Sequence, residues 1–291
     1  MKKLISIVGL TSSGKSSLAI ELAKIFNGEI ISADSRQVYE GLDWCSGKVT
    51  KEEMSEVKHH IIDVVKLGTQ FTLYDYQKMA YEKIDDILKR KKVPFLVGGT
   101  GLYSRAIVEG YNLAETKPND KLRKKLENFS KEELLEICKQ QNIQVDGEVT
   151  ARRIVRIIEK NQNITQKNNP KYNVLQIGIF WSREEIYERI RQRLEMRMPH
   201  MIEEIKKLLD SGEDKDFLMS LGLEAKHILL YLDGVYASFE EFFEELFKQE
   251  RHFAKRQNTW YNKEKNIVWL NAKDNLLENA KRLISEFLNK S

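Results

Sequence analysis

A glycine-bounded segment near the start of the chain has the residues of a phosphate-binding loop. Residues 9–16 read Gly-Leu-Thr-Ser-Ser-Gly-Lys-Ser and fit the pattern GxxxxGK[ST], the P-loop. In such a loop, backbone N–H groups cradle phosphate oxygens at the N-terminus of a helix, whose dipole adds attraction. The motif identifies a phosphate or diphosphate ligand, but it does not identify a reaction. The predicted diphosphate-binding residues are Gly9, Thr11, Ser12, Ser13, Gly14, Lys15 and Ser16, with the Ser16 hydroxyl as the Mg²⁺ ligand.

Asp34 and Thr100 follow two predicted strands, and both residue types can take part in catalysis. The carboxyl ends of neighbouring parallel strands lie where ligands bind, so Asp34 is placed to act as a general base or as an indirect Mg²⁺ partner. Alternatively, Asp34 caps the turn that follows it. Thr100 lies among Gly98, Gly99 and Gly101, which would let the backbone approach a ligand. The alternative for this segment is a strand-to-helix turn with Thr100 as its cap.

Two basic segments later in the chain could contact nucleic acid. Arg152 and Arg156 are four positions apart on one predicted helix face, which suits a diphosphate clamp or RNA-backbone contacts. A solvated charged face explains the same spacing. Residues 255–261 read Lys-Arg-Gln-Asn-Thr-Trp-Tyr, a mixture of cations, amides and aromatic rings typical of single-stranded nucleic-acid sites. The alternative is an amphipathic helix whose Trp260 packs into the core.

Strands and helices that alternate along the chain must position these groups. Apolar β-rich runs predict strands at residues 4–8, 29–32, 93–97, 174–180 and 266–270. Helical periodicity appears at residues 15–26 and 74–90 between the first three. This alternation predicts an α/β fold, a P-loop NTPase-like parallel sheet flanked by helices.

The middle and late parts of the chain show helical periodicity and almost no pattern typical of strands. Residues 184–209 carry apolar side chains at helical steps, separated by charges. We therefore predict a mainly helical insertion domain beside the sheet. The predicted α/β core comprises residues 1–112, 150–182 and 263–291, and the predicted insertion comprises residues 113–149 and 183–262.

Composition narrows the class of protein. The chain has 291 residues, of which 41% are hydrophobic and 32% charged, as in a globular protein. A net charge of +4 permits a nucleic-acid partner without requiring one. No run is long enough to span a bilayer, and the apolar stretch at the start is too short for a signal peptide. The adjacent His59 and His60, three scattered histidines and two distant cysteines predict no zinc site. The cysteine usage fits a reducing cytoplasm.

Blocks spread over nearly the whole chain resemble the bacterial tRNA dimethylallyltransferases, the IPP transferase family. The P-loop is shared with many kinases, but two blocks are specific to this family: Ser-Ala-Asp-Ser followed by Gln-Val-Tyr, and Lys-Arg-Gln-x-Thr-Trp. All the matching blocks occur in the family's order. They are residues 9–16, 30–39, 59–63, 98–103, 122–123, 152–156 and 254–260.

The resemblance implies transfer of a dimethylallyl group from dimethylallyl diphosphate to N6 of the adenosine 3′-adjacent to the anticodon, with Mg²⁺ and release of diphosphate. It implies that Asp34 is the general base and that Thr100 and Lys15 are catalytic. The expected partners are the anticodon stem-loop of tRNA and dimethylallyl diphosphate, with no membrane, and the expected state is a monomer. The predicted tRNA-binding residues are Asp34, Ser35, Arg36, Gln37, Thr100, Arg123, Arg152, Arg153, Arg156, Lys255, Arg256, Gln257 and Trp260.

The chain departs from the family pattern at several positions. Leu10 and Ser12 stand where the family usually has Pro and Ala, and Ser16 stands in place of Thr but keeps the metal-binding hydroxyl. Residues 44–49 read Trp-Cys-Ser-Gly-Lys-Val in place of Ile-Gly-Thr-Ala-Lys-Pro, and the basic residue expected after Thr-Trp-Phe is Asn262. Two other hypotheses share the P-loop: a small-molecule or nucleotide kinase with ATP as donor, and a non-catalytic RNA-binding protein.

Overall fold

The structure is a computed structural model, and it describes residues 1–113, 119–145, 149–160 and 169–290. Parts of the predicted ranges 113–149 and 150–182, namely residues 114–118, 146–148 and 161–168, lie outside the described residues. Among the described residues, six parallel strands form one sheet in the order β3-β2-β4-β1-β5-β6. The strands are β1 (Lys2–Gly9), β2 (Gly28–Ser32), β3 (His59–His60), β4 (Val93–Val97), β5 (Tyr172–Phe180) and β6 (Ile267–Asn271).

The parallel α/β fold predicted from the sequence is confirmed. Five of these strands coincide with predicted runs, whereas β3 has two residues and gives no periodicity signal. The helices are α1 (Lys15–Ile25), α2 (Lys51–Glu56), α3 (Leu73–Lys89), α4 (Gly101–Val108), α5 (Asp120–Leu126), α6 (Lys131–Gln140), α7 (Ala151–Lys160), α8 (Arg183–Asp210), α9 (Lys215–Ser220), α10 (Leu223–Leu232), α11 (Phe239–Tyr261) and α12 (Leu276–Asn289).

Neighbouring residues of each central strand point to opposite faces of the sheet, and each face is covered by helices. On one face, Leu4, Ile31 and Leu96 pack with apolar side chains of α3, α4 and α8 to α11. On the other face, Ile5 and Phe95 pack with α1 and α12. Burial on both faces explains why these strands are almost entirely apolar.

The contacts within the chain divide it into two compact units, and this division differs from the predicted one. The larger unit comprises Met1–Val108 and Pro170–Ser291, and the smaller unit comprises Glu109–Asn169. Residues 183–262 therefore belong with the sheet, because the apolar residues of α8, α10 and α11 join one of its two cores. Helix α7, which we predicted in the α/β core, belongs to the smaller unit because its isoleucines pack against α5 and α6.

The smaller unit has its own apolar core. Leu126, Leu134, Cys138, Ile154 and Ile157 are buried together where α5, α6 and α7 meet. Helix α6 begins with a capping box, in which the Ser130 hydroxyl accepts from the backbone of Glu133 and the Glu133 carboxylate accepts from Ser130. In the part of the chain that the structure describes, no helix has both the length and the apolar composition needed to cross a membrane.

Candidate active site

A cavity of about 1550 Å³ opens at the carboxyl end of the sheet in the larger unit. The loops that follow β1, β2 and β4 line it, together with residues of α8, α10 and α11. These loops carry Lys15, Asp34 and Thr100, so the structure brings the three predicted catalytic residues into one cavity. Parallel strands place their carboxyl ends at the same edge, which is why residues distant in sequence converge here.

The loop between β1 and α1 has the backbone of a phosphate cradle. Gly9 and Gly14 have φ values of +151° and +90°, which side-chain-bearing residues rarely adopt. A Cβ on Gly9 would also lie 3.0 Å from the Ser13 hydroxyl oxygen. That hydroxyl is buried and has no hydrogen-bond partner among the described residues. Gly14 stands at the N-cap of α1 without a side chain, so the helix presents its backbone N–H groups to the loop.

Lys15 is a desolvated cation at the first position of α1. Its Nζ donates to the carbonyl of Leu10 across the loop, at 2.6 Å. Burial and the neighbouring Arg193 lower the pKa of Lys15 to about 8, although Asp34 acts to raise it. A bound anion such as diphosphate would favour the charged form of this side chain.

Asp34 caps the turn that follows it, as one alternative predicts, and it also lines the cavity, where its role as a general base stays a prediction. Its Oδ1 accepts a hydrogen bond from the Arg36 N–H at 2.9 Å and so caps the turn at residues 35–38. Its carboxyl also lines the cavity with Lys15. Burial raises the pKa of Asp34, while the hydrogen bond from Arg36 and the charge of Lys15 act in the opposite direction.

Thr100 connects the loop after β4 to the loop that carries Asp34. Its Oγ1 accepts from the Ser35 N–H at 3.0 Å. Its carbonyl accepts from the N–H groups of Tyr103 and Ser104 as α4 begins, which is the cap position of the alternative interpretation. Thr100 thus holds the Asp34 loop against β4.

The glycines around Thr100 serve close contacts within the protein. We predicted that they let the backbone approach a ligand, but a Cβ on Gly98 would collide with the backbone of Ala33. A Cβ on Gly101 would collide with the indole of Trp260. Our interpretation of Gly98 and Gly101 is therefore corrected. Other segments of the chain occupy the space that a side chain would fill at these two positions.

Three side chains that the sequence analysis missed brace the P-loop from the side of α8. Arg193 Nη1 donates to Thr11 Oγ1 at 3.1 Å, and Arg189 Nε donates to the Ser12 carbonyl at 2.8 Å. The indole N–H of Trp181 donates to the Ser13 carbonyl at 3.0 Å. Arginines four positions apart in the periodic stretch 184–209 were a usable signal, but we had assigned that stretch to a separate insertion.

A buried group of acidic and basic side chains stands behind Arg193. Burial and the neighbouring Glu224 raise the pKa of Glu250 to about 8, although Arg193 and Arg197 oppose the shift. Burial and Arg197 lower the pKa of Arg193 to about 10. Arg197 donates to the carbonyl of Trp44 and lies 3.9 Å from the Glu224 carboxylate. The Glu224 carboxylate therefore offsets part of the repulsion among the arginines beside the P-loop, whereas the raised pKa keeps Glu250 mostly protonated at neutral pH.

The basic segment at residues 255–261 forms the end of α11, and its side chains separate into two groups. Arg256 is exposed and lines the cavity, and Lys255 is exposed. Gln257 is buried, and Trp260 is half-buried at a small apolar cluster that contains Tyr261. The guanidinium of Arg105 lies over the Trp260 ring, 5.6 Å from its centroid. Trp260 thus packs against apolar side chains, as our alternative predicts, and it also lines the cavity.

Residues 35–37 lie on the cavity wall, and Gln37 makes hydrogen bonds to residues outside this segment. Ser35, Arg36 and Gln37 all line the cavity and are half-buried. The Gln37 amide accepts from the Ser32 hydroxyl at 2.9 Å and donates to the Gly47 carbonyl at 3.3 Å. These bonds hold the turn after Asp34 in place.

The four predicted RNA-binding arginines of the smaller unit differ in their environment. Arg123 and Arg156 both bond to the buried carboxylate of Glu159, at 2.7 and 2.8 Å. Burial would raise the pKa of Glu159, but these two arginines lower it to about 2. Arg152 and Arg153 are exposed on α7. Their contacts with RNA stay predictions.

Comparisons with known proteins agree with the resemblance. A family model described as IPP transferase matches residues 37–264. A tRNA dimethylallyltransferase of Streptococcus agalactiae is 39% identical over 98% of each chain, and one of Acetivibrio thermocellus is 35% identical over 99% of each. A crystal structure of the tRNA isopentenylpyrophosphate transferase of Bacillus halodurans has a TM-score of 0.77 at 33% identity, covering 99% of this chain and 97% of that one. The chain therefore belongs to the IPP transferase family, the tRNA dimethylallyltransferases, as its sequence blocks predict.

Proposed function

We propose that this protein transfers the dimethylallyl group of dimethylallyl diphosphate to N6 of the adenosine 3′-adjacent to the anticodon of tRNA. The C–O bond between the allyl carbon and the diphosphate breaks, and its electron pair leaves with the diphosphate. The N6–C bond forms, and one N6 proton passes to a base. The observation that carries the proposal is that Asp34 lines the same cavity as Lys15 and the P-loop.

Asp34 is the proposed base. The adenine amine is a weak nucleophile because its lone pair is delocalised into the ring, so removal of a proton as the bond forms lowers the barrier. Burial raises the pKa of Asp34, which makes its carboxylate a stronger base than an exposed aspartate. Lys15 counteracts part of this shift and helps to keep Asp34 ionised near neutral pH.

The P-loop and its arginines are the proposed site of the leaving group. The Lys15 ammonium and the guanidiniums of Arg189 and Arg193 surround the loop, where negative charge develops on the departing diphosphate. Preorganised cations and backbone N–H groups stabilise such charge without rearranging during the reaction. Thr100 contributes by fixing the loop that carries the base.

The oxygen donors of the cavity fit Mg²⁺. The Ser16 hydroxyl is a hard oxygen ligand that lines the cavity, and the Asp34 carboxyl lines it as well and would interact with the ion only indirectly. No group of three or more His, Cys, Asp or Glu side chains in the described ranges is arranged to hold a metal. That pattern is typical of Mg²⁺ bound largely through substrate phosphates and water. When bound, the ion would neutralise charge on the diphosphate, and Ser16 would hold it.

The anticodon stem-loop is the proposed macromolecular substrate. The target base must leave its stack to reach Asp34, and contacts with the cavity wall would offset part of the unstacking cost. Ser35, Arg36, Gln37, Arg256 and Trp260 line that wall and are half-buried or exposed. We propose that five further basic residues contact the RNA as well: Lys255, Arg123, Arg152, Arg153 and Arg156. A monomer acting in the cytoplasm on free tRNA completes the proposal.

Incubation of the purified protein with unmodified tRNA, Mg²⁺ and radiolabelled dimethylallyl diphosphate tests this function. We expect label in the RNA, mapped to the adenosine beside the anticodon. A parallel reaction contains γ-labelled ATP and tests the kinase alternative. Phosphate transfer from ATP to a small acceptor, without prenyl label in tRNA, would refute the prenyltransferase.

A further inference from the structure

The buried amide of Gln257 joins the loop after β1 to the loop after β4, and these two strands are neighbours in the sheet. Gln257 belongs to α11 and is 7% exposed. Its Oε1 accepts from the Thr11 N–H of the P-loop at 2.8 Å. Its Nε2 donates to the Gly99 carbonyl, in the loop after β4, at 2.9 Å.

This bridge continues to the proposed base through two further contacts. Gly99 precedes Thr100, whose hydroxyl oxygen accepts from the Ser35 N–H at 3.0 Å. Ser35 follows Asp34 directly in the chain. A continuous set of hydrogen bonds and covalent bonds therefore connects the loop that would hold the diphosphate to the loop that carries the base.

We propose that Gln257 is a positioning residue, which fixes the distance between the prenyl diphosphate on the P-loop and the carboxylate of Asp34. The inference rests on the proposed function and adds to it the residue that sets the distance between the prenyl donor and the base. Reacting atoms must approach to about 3–3.5 Å, and an error of about 1 Å can cost on the order of 100-fold in rate. A bridge between the donor and acceptor loops therefore acts on turnover more than on binding.

The chemistry of the bridge selects an amide. One partner is an N–H, which needs an acceptor, and the other is a carbonyl, which needs a donor. A neutral carboxamide provides both, whereas an ionised carboxylate only accepts and a lysine only donates. An uncharged group also leaves the anion site beside Lys15 free of added negative charge.

The sequence alone led us to predict that Gln257 contacts tRNA. Its oxygen and nitrogen both bond within the chain, and the side chain is buried. Exposed Arg256, one position earlier, lines the cavity and is the better candidate for an RNA contact. A positioning role and a tRNA contact predict different kinetic effects of substitution at residue 257.

Gln257→Met removes both hydrogen bonds and keeps most of the side-chain volume. We expect kcat to fall about 100-fold, with the Kd for tRNA and its salt dependence unchanged. A folded variant, judged by its melting temperature and circular dichroism, with normal kcat and weaker, less salt-dependent tRNA binding would overturn the positioning role.

Gln257→Glu supplies a readout that simple loss of packing would not give. The ionised glutamate cannot donate to Gly99, but the protonated acid has one acceptor and one O–H donor, like the amide. The ratio of its kcat to that of the wild type should rise as the pH falls from about 8 towards 5, since an ordinary glutamate has a pKa of about 4.3 and burial raises it. A ratio that stays flat over this range would contradict the proposal.

The wild-type reaction separates this inference from the proposed function. Absence of prenyl transfer to tRNA by the wild type would remove the function, and with it any role in positioning. Normal wild-type transfer together with normal kcat in Gln257→Met would remove only the role of Gln257.

Discussion

The side chains of Lys15 and Asp34 lie in one cavity, and each charge opposes the pKa shift that burial imposes on the other. Burial lowers the pKa of Lys15, and the charge of Asp34 acts to raise it. Burial raises the pKa of Asp34, and the charge of Lys15 acts to lower it. Each charge thus favours the charged form of the other, in a cavity that both side chains line. Their roles in the reaction lead to the first two predictions.

Asp34→Asn should abolish most turnover while leaving the site intact. Asparagine Oδ1 can still accept from the Arg36 N–H, so the turn is preserved, but the amide cannot take a proton. We expect kcat to fall by about 10²–10⁴-fold, with the Kd for tRNA within twofold of the wild type. Single-turnover kinetics and filter binding measure these two quantities.

Asp43→Asn is the matched control for that experiment. Asp43 also lines the cavity, but its carboxylate bonds to the Lys48 ammonium at 2.6 Å. We expect a near-normal kcat for this variant. Near-normal turnover of Asp34→Asn itself would remove Asp34 as the base, and Asp34→Ala should lose turnover in the same way.

The activity should decline above a pH of about 8 because Lys15 loses its proton. The pKa of Lys15 is about 8 in the free protein, so its positive charge is complete below that pH and disappears above it. The ratio kcat/KM for dimethylallyl diphosphate reports the free enzyme and should fall tenfold per pH unit beyond this value. The value of kcat should fall less, since a bound diphosphate stabilises the charged lysine.

Glu250 titrates in the same pH range as Lys15, so its contribution to the decline in activity must be separated from that of Lys15. Its pKa is about 8, and its ionisation would place negative charge near Arg193. Glu250→Gln removes that titration while keeping the shape of the side chain. If the decline above pH 8 persists in Glu250→Gln, it belongs to Lys15, and if it vanishes, the assignment to Lys15 is wrong.

The sequence allowed the sheet and the P-loop to be predicted because both depend on local pattern. Apolar β-rich runs identify strands such as the one at residues 4–8 without reference to the rest of the chain, and the GxxxxGK[ST] spacing defines its loop by backbone geometry. The convergence of Asp34 and Lys15 followed from the parallel arrangement of their strands, whose carboxyl ends lie at one edge of the sheet. These features required no knowledge of long-range packing.

The arginines of α8 and the bridge made by Gln257 could not be predicted in the same way. Periodicity identifies α8 as a helix, but it does not reveal that Arg193 reaches Thr11, a residue far away in the sequence. Gln257 resembled an RNA contact because it lies between Arg256 and Trp260 in a basic, aromatic segment. The direction of the Gln257 side chain is set by the rotation of α11 against β1 and α4, and that rotation depends on tertiary packing.

Arg256→Ala should weaken tRNA binding and make it less dependent on salt. Arg256 is exposed, lines the cavity and has its guanidinium 5.7 Å from the centroid of the Phe253 ring. Loss of one phosphate contact reduces the slope of log K against log salt by about 0.7–0.9. Lys248→Ala, an exposed lysine on the same helix that pairs with Glu245 and lies outside the cavity lining, is the control that should leave the slope unchanged. An unchanged slope for Arg256→Ala would indicate that this side chain does not contact phosphate.

Glu29→Gln should reduce stability at neutral pH without affecting turnover. Glu29 is buried near the start of β2, at the edge of the sheet opposite to Asp34, and it bonds to Lys92 at 2.9 Å and to His60 at 2.7 Å. Its bonds to Arg90 hold its pKa far below the ordinary range, although burial opposes the shift. We expect a loss of about 2 kcal/mol in the free energy of unfolding, limited because Arg90 and Lys92 remain partly in water.

The pH dependence of that loss identifies its cause. A carboxyl whose pKa is lower in the folded state stabilises the protein above its unfolded pKa of about 4.3, and the contribution disappears as the pH falls below that value. Calorimetry should therefore show the largest difference in melting temperature between the wild type and Glu29→Gln near pH 7, and a shrinking one below about pH 4. Asp86→Asn removes an exposed partner of the same Arg90 and should change stability by less than about 0.5 kcal/mol. A difference for Glu29→Gln that is constant across this pH range would mean that lost packing, and not the buried charge, explains the effect.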